Sequence, residues 1–451
     1  MGALAGLLKE AGYEVVGVEG GPIYPPMSEL LEGLKIPVII GFRGDNPTKI
    51  APSLAVIGNV IRRENPEAQA IFSQRIPYLS FPEALYGLFL RGKKSLVVAG
   101  THGKSTTSAL LAYSLEKLSA SPTFLVGGLL RDRGRNYALG QGPFVVLEGD
   151  EYDSAFFDKR PKFLHYAPYA AILTSVEFDH ADIYPDLPAL KRAFSAFVSL
   201  IPQEGVLVYW ADSQVVSEVV SVFSGKKIPY GTKGDFRLLE RFPSSEPVGQ
   251  RVRILAEGEE LEFFLPLIGE HNALNALAVF GLLRSLGFDK DAIFEAFSGF
   301  CGLRRRQEIL LEDPVLVMDD FAHHPTAVFV TLKAVRETWP GRRVLAAFEP
   351  RTNTSRRRVF QEAFPEALSL AEVVFLKIPP DLEKVPRDER LDLLRLKEDL
   401  ERKGRKVFLV NEPKALEEAI LEEVAPGDLL IFMSNGPFDG LPRKVAQRLA
   451  P

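Results

Sequence analysis

The chain has 451 residues and a mass of 50.0 kDa, beyond the size at which one hydrophobic core keeps growing, so two to four domains are expected. Apolar residues at 46%, charged at 25% and aromatic at 10% match a packed globular protein and exclude a disordered, collagen-like or low-complexity chain. A net charge of -5 argues against a dedicated nucleic-acid or anionic-membrane binder, and the single cysteine, Cys301, rules out an internal disulfide and fits a cytoplasmic protein.

In chain order, residues 1–12 read as a helix with neither the order of a signal peptide nor a strand before it. Strand patterns at 13–19, 37–41 and 54–60 surround a turn-rich segment at 20–26, as in an α/β unit. A sharper strand at 95–100 runs into Thr101-His-Gly-Lys-Ser105 and a helix at 106–117, so a nucleotide-binding domain is expected to begin near residue 94. Apolar runs at 144–147, 170–176 and 205–209, with a helix at 187–200, predict a mostly parallel sheet covered on both faces. Between 236 and 266 the pattern changes to antiparallel strands, 251–255 and 261–265, before a helix at 272–286. A third α/β region follows, with strands at 314–318, 344–348, 373–376, 406–410 and 429–432. The charged stretch 381–406 carries both signs and reads as a solvated helix and loop without chemistry. No apolar run approaches the roughly 18 residues of a membrane span.

Gly100-Thr-His-Gly-Lys-Ser105 lies between a strand and a helix, where backbone amides and a helix N-terminus cradle phosphate oxygens. In that context Lys104 meets the phosphates and Ser105 holds Mg2+. Glu148-Gly-Asp-Glu-Tyr-Asp153 places four acids at a strand end, costly without cations or donors, and Mg2+ would remove the cost. Glu177-Phe-Asp-His180 closes the next strand in the same manner. His271, Asn272 and Asn275 open a helix and can face a nucleotide base, although helix capping alone also explains Asn272. Asp319-Asp-Phe-Ala-His-His-Pro325, Arg304-Arg-Arg306, Arg351-Thr-Asn-Thr-Ser355 and Ser434-Asn-Gly-Pro-Phe-Asp-Gly440 follow strands or supply planar donors at the ligand-facing edge of an open sheet. A zinc site is disfavoured, because the acids are oxygen-rich and no cysteine is nearby.

Together, Ala99-Gly-Thr-His-Gly-Lys-Ser-Thr-Thr107, Glu177-Phe-Asp-His180, His271-Asn-Ala-Leu-Asn275 and Asp319-Asp-Phe-Ala-His-His-Pro325 resemble the Mur ligases in order and spacing. The resemblance covers nearly the whole chain. The run from Glu148 to Phe163, Tyr24-Pro-Pro-Met-Ser28, Glu349-Pro-Arg-Thr-Asn-Thr354 and Met433-Ser-Asn-Gly-Pro-Phe-Asp-Gly440 are similar to those family members that act on a murein tripeptide.

The resemblance implies an α/β protein of three domains: a Rossmann-like UDP-N-acetylmuramate-binding domain at 1–93, a central P-loop ATPase at 94–311 with a mostly parallel sheet and added antiparallel strands, and a Rossmann-like peptide-binding domain at 312–451. It implies an ATP- and Mg2+-dependent ligase joining UDP-N-acetylmuramate to L-alanyl-γ-D-glutamyl-meso-diaminopimelate in peptidoglycan recycling, with no nucleic-acid, membrane or obligate protein partner. The alternatives are a ligase adding free L-alanine and a non-catalytic nucleotide sensor on the same fold. Lys104, Glu151 and His180 would be catalytic, and Ser105, Glu151 and His180 would hold the metal. Gly100, Thr101, His102, Gly103, Lys104, Ser105, Thr106, His271, Asn272, Asn275, Arg305, Arg306 and Asp319 would bind ATP. Tyr24, Ser28, Asp153, His323, His324, Arg351, Asn353, Ser434, Asn435 and Phe438 would bind the other substrates. In the family a strand and a glycine-rich turn precede the helix equivalent to residues 1–11; both are missing here, and a start codon placed too late is the expected reason.

Overall fold

The computed structural model describes residues 1–24, 27–178, 183–380 and 382–451. By contacts it divides into two compact units: Met1–Glu177 with Leu187–Phe236 and Ala278–Ala296, and Phe178–Asp186 with Arg237–Leu277 and Phe297–Pro451.

The first unit begins with helix Gly2–Glu10 and four short strands, β1 (Gly17–Glu19), β2 (Val38–Ile40), β3 (Ala55–Ile57) and β4 (Tyr78–Ser80). They form two separate parallel pairs, β1 with β2 and β3 with β4. The expected α/β unit is therefore present, with strands shorter than the sequence pattern. Helix Gly2–Glu10 packs its Gly6 against the Tyr137 ring, and Glu10 pairs with Arg135 at 2.9 Å.

The rest of that unit is built on β5 (Lys94–Ala99), β6 (Thr123–Leu125), β7 (Tyr137–Ala138), β8 (Phe144–Gly149), β11 (Pro168–Leu173), β12 (Val206–Trp210) and β13 (Lys226–Gly231), with β9 (Asp153–Ala155) and β10 (Asp158–Pro161) as a separate antiparallel pair. The sheet runs β13-β12-β11-β5-β8-β6-β7, and only β6 and β7 pair antiparallel among the pairs described. Leu96, Val97, Val98 and Ala99 are all fully buried, as a parallel strand covered on both faces requires. Register fixes the site: Ala99 pairs with both Gly149 and Leu173. The loops after β5, β8 and β11 therefore leave the sheet at one level on its carboxyl edge.

The second unit contains the antiparallel meander β14 (Phe236–Ser245), β15 (Val248–Ala256) and β16 (Glu259–Leu265), in which strands lie where the changed sequence pattern put them. Its other sheet comprises β17 (Glu308–Leu311), β18 (Leu316–Asp320), β19 (Val344–Phe348), β20 (Val373–Lys377), β21 (Lys406–Val410) and β22 (Leu429–Met433), in the order β17-β18-β22-β19-β20-β21. Only β17 is antiparallel to its neighbour. Alternate residues divide between two cores: Met318, Ala346, Phe348, Val374 and Ile431 face one, and Val317, Leu345, Ala347, Phe375 and Leu430 face the other.

The charged stretch 381–406 is only half as expected. Helix Leu393–Arg402 does expose its charges, but Leu393, Leu396 and Leu400 are buried in the core beside Phe364 and Leu376. A leucine at every third or fourth position is the apolar stripe of a helix that covers a sheet. No helix of the described residues is long and apolar enough to cross a membrane.

Candidate active site

In the first unit β5 ends at Ala99 and helix Lys104–Lys117 begins after four intervening residues. Gly100 has φ +134°, and a Cβ on it would lie 2.2 Å from Thr174 Oγ1 and 2.8 Å from the Ser175 backbone. Only glycine lets the loop pass this close to the end of β11. Gly103, at φ +80°, turns the chain into the helix. The Thr101 amide donates to Ser175 O at 2.8 Å, and the His102 amide to Ser175 Oγ at 3.0 Å. Thr101 Oγ1 accepts from the Glu177 amide and donates to Glu177 O. The loop is thus held open against its neighbour, with Lys104, Ser105 and Thr106 in the helix's first turn, where the backbone amides attract anions.

The Lys104 ammonium lies 2.8 Å from Glu151 Oε2 and 3.1 Å from Oε1. Burial opposes its charge, but the carboxylates of Glu151, Asp150 and Glu148 outweigh this and hold its pKa above the ordinary lysine value. It is a permanent cation at the mouth of the loop. Ser105 Oγ donates to Glu148 Oε1 at 3.0 Å, and the Gly127 amide donates to Glu148 Oε2 at 2.7 Å.

The four acids at and just beyond the end of β8 therefore have individual partners that sequence reasoning did not find. Asp150 accepts from Lys162 at 2.7 Å, Asp153 from Lys159 at 2.8 Å, and Glu151 from Lys104. Lys159 and Lys162 sit in the sequence a few residues beyond the acids, but only the pairing of β9 with β10 folds them back. The oxygens of Ser105, Glu148 and Glu151 are hard donors gathered beside a lysine and a helix N-terminus, the donor chemistry that suits Mg2+ with phosphate. The expected metal ligand His180 lies outside the described residues.

Of the other residues expected in this unit, His102 approaches Glu177 at 3.5 Å. Tyr24 is exposed, and Ser28 stands in the first turn of helix Met27–Gly33. Phe156 and Phe157 pack edge-on with Phe72 and Tyr78 as an aromatic wall.

The second unit gathers the expected base-binding residues around Gln307, which sequence reasoning missed. Asn272, buried at the start of helix Glu270–Ser285, donates to Ile268 O at 2.8 Å and to Gln307 Oε1 at 2.9 Å. Asn275 donates to Asn272 Oδ1 at 3.3 Å. Gln307 Nε2 lies 3.4 Å from His271 Nε2. An amide nitrogen can only donate, so this imidazole nitrogen accepts and the ring proton belongs on Nδ1, which is buried without a hydrogen-bond partner among the described residues. Burial, helped by Arg241, pushes the His271 pKa down to about 4, which keeps the ring neutral.

Arg305, at φ +58°, reaches Asp319 at 3.4 Å and donates to the carbonyl oxygens of Ser434 and Gly436. Arg306 stacks over the Phe321 ring at 4.5 Å. Burial raises the Asp319 pKa to about 6 against the opposing pull of Arg305. His323 donates from Nδ1 to Phe321 O, and His324 caps helix Pro325–Thr338 by accepting from the Thr326 amide at 3.2 Å.

Register again explains what meets. Phe348 pairs with both Met433 and Leu376, so Glu349, Ser434 and Lys377 emerge side by side. Ser434 Oγ donates to Glu349 Oε2 at 2.8 Å, Arg351 lies 3.7 Å from the same oxygen, and Lys377 lies 2.5 Å from Oε1. Asn435 and the buried Phe438 continue this loop, whereas Asn353 instead accepts from Arg356 at 2.7 Å. Lys377 did carry a signal, being a lysine that closes an otherwise apolar strand.

Family models match three successive segments of the chain: the Mur ligase family catalytic domain at residues 1–92, the Mur ligase middle domain at 98–283 and the Mur ligase glutamate ligase domain at 305–436. The UDP-N-acetylmuramate--L-alanyl-gamma-D-glutamyl-meso-2,6-diaminoheptandioate ligase of Escherichia coli is 34% identical over 456 residues, covering 100% of this chain and 96% of that protein. The chain belongs to the Mur ligase family. As a Mur ligase it has the three-part α/β architecture of N-terminal, central nucleotide-binding and C-terminal Rossmann-like domains. The crystal structure of a murein peptide ligase from Psychrobacter arcticus is similar at a TM-score of 0.73 and 27% identity, covering 100% of this chain and 96% of that one. The UDP-N-acetylmuramate-alanine ligase of Thermotoga maritima is similar at a TM-score of 0.82 and 27% identity, covering 99% and 96%.

Proposed function

We propose that this Mur ligase joins UDP-N-acetylmuramate to the tripeptide L-alanyl-γ-D-glutamyl-meso-diaminopimelate, using ATP and releasing ADP and phosphate, as a cytoplasmic enzyme of peptidoglycan recycling. What carries the choice of tripeptide is the 34% identity, over the full chain, to a ligase named for that substrate. In this assignment residues 1–93 bind the UDP-sugar, 94–311 bind ATP, and 312–451 bind the peptide.

The substrate carboxylate attacks the γ-phosphorus of ATP to form an acyl phosphate. The peptide's α-amine then adds to the acyl carbon, loses a proton and expels phosphate. Neither step requires a nucleophile from the protein. The protein's work is to position the reactants and offset charge. The loop from Gly100 to Thr106 cradles the triphosphate, and Lys104, kept cationic by its carboxylates, neutralises charge where two anions must meet. Ser105, Glu151 and His180 are the assigned Mg2+ ligands, with Glu148 poised on Ser105. When bound, the ion supplies further neutralisation of the phosphate oxygens. His271, Asn272 and Asn275 serve the base, and Arg305, Arg306 and Asp319 the ribose and phosphates. Tyr24, Ser28, Asp153, His323 and His324 are assigned to binding the substrates other than ATP. Arg351, Asn353 and the loop at 434–438 receive the peptide.

A second reading, addition of free L-alanine, is favoured by the higher TM-score to the alanine ligase. One assay separates them. Protein with ATP, Mg2+ and UDP-N-acetylmuramate is offered the tripeptide or L-alanine, and the product mass is read. The tripeptide adduct is expected; phosphate release with L-alanine alone refutes the proposal, and ligand binding without turnover favours a nucleotide sensor.

A further inference from the structure

The end of β20 carries a lysine to which the chemistry above gives no task. Lys377 is 4% exposed, and its ammonium lies between two carboxylates, 2.5 Å from Glu349 Oε1 and 2.7 Å from Asp439 Oδ2. Glu349 is fully buried and also accepts from Ser434 Oγ, which in turn accepts from the Gly436 amide at 3.0 Å. Gly436 sits so close to Arg351 that a Cβ on it would lie 2.4 Å from Arg351 Cδ.

A buried ion pair adds little net stability over apolar residues of the same volume, so stability alone does not account for a charge at this place. The loop it touches is strained. Phe438 at φ +51° and Asp439 at φ +54° are left-handed without being glycine, a conformation that persists where its surroundings over-determine it. Lys377 touches both, by the ion pair to Asp439 and by its place 5.7 Å from the centre of the Phe438 ring.

We propose that Lys377 is a positioning residue for the acceptor peptide. By bridging Glu349 and Asp439 it fixes the loop at 434–440, and the Arg351 side chain packed on that loop, in the arrangement that receives the peptide. The proposal rests on the assignment of this loop to peptide binding.

The test uses the full chain with ATP, Mg2+, UDP-N-acetylmuramate and the tripeptide, comparing Lys377→Met, Lys377→Arg, Asp439→Asn and the Met/Asn double variant. Lys377→Met is expected to raise KM for the tripeptide about tenfold, with kcat within about twofold and KM for ATP unchanged. Lys377→Arg should recover most of the loss, and the double variant should be no worse than Lys377→Met alone. Asp439→Asn keeps the inner pair with Glu349, so it answers the question even where Lys377→Met does not fold. It should raise the peptide KM and speed amide exchange at 434–440 selectively. Equal rises in KM for ATP and peptide, loss of kcat at unchanged KM, or an arginine variant as poor as the methionine one overturns the proposal. A wild-type chain that does not use the tripeptide overturns the functional assignment and this proposal together. Wild-type turnover with an unchanged peptide KM in the variants overturns this proposal alone.

Discussion

Replacing His271 by glutamine isolates the acid sensitivity of the base-binding cluster. In the fold His271 titrates near 4 rather than 6.5, because burial and Arg241 oppose its charge. Between those values the unfolded chain binds the proton and the native chain does not. Stability is therefore complete above pH 6.5 and is lost as the pH falls toward 4. At about 1.4 kcal/mol for each pKa unit the whole penalty is about 3 kcal/mol, of which about 2 kcal/mol is present at pH 5. Glutamine can still accept from Gln307 and does not titrate. The difference in unfolding free energy between His271→Gln and the parent should therefore move by about 2 kcal/mol in the variant's favour between pH 7.5 and pH 5. The assay is urea unfolding at both pH values in a Trp210→Phe background, so that Trp339, the other of the two tryptophans, alone reports on its own unit. A difference that stays the same at the two pH values refutes the argument.

Asp319→Asn should move the other way. Its carboxyl is raised to about 6 by burial, so its stabilisation is present at low pH and lost as the pH rises through that value; the same comparison shifts by about 1.4 kcal/mol in the parent's favour at pH 5. Lys104→Ala should lower ATP-dependent phosphate release by about a thousandfold while the fold persists, and near-normal turnover would sink the phosphate-loop assignment. Gly100→Ala must push a Cβ into Thr174 and Ser175 from a φ that alanine avoids; ATP affinity by calorimetry should collapse, and unaltered affinity would show that the loop tolerates the change. Leu396→Ala should cost about 2–5 kcal/mol of stability by opening a hole under its helix, with kcat unchanged at a temperature where the variant is folded.

The phosphate-loop cluster of the first unit and the clusters of the second unit are legible in the sequence to different depths. The phosphate loop could be read because its chemistry is local: a buried strand, two glycines with special backbone angles, a lysine and a serine at a helix start, all within a dozen residues. The acids at and just beyond the end of β8 were visible as a cluster, but which cation served which acid was not. Lys104 precedes Glu151 by 47 residues and meets it only because β5 and β8 pair in register. Gln307 and Lys377 were passed over for the same reason. One is a polar residue in a turn and the other a lysine whose only signal is that it closes an apolar strand, and the partner of each shows only when Asn272 or Glu349 lies beside it.

The sequence by itself determined the alternation of strand and helix, the antiparallel interlude, the phosphate loop and the family, since each rests on periodicity, backbone permission or motif order along the chain. Only the tertiary structure decided strand register, the partners of buried charges and the protonation of His271 and Asp319. Those depend on which loops leave the sheet together and how far water is excluded, and burial and Coulomb terms act through space rather than along the chain.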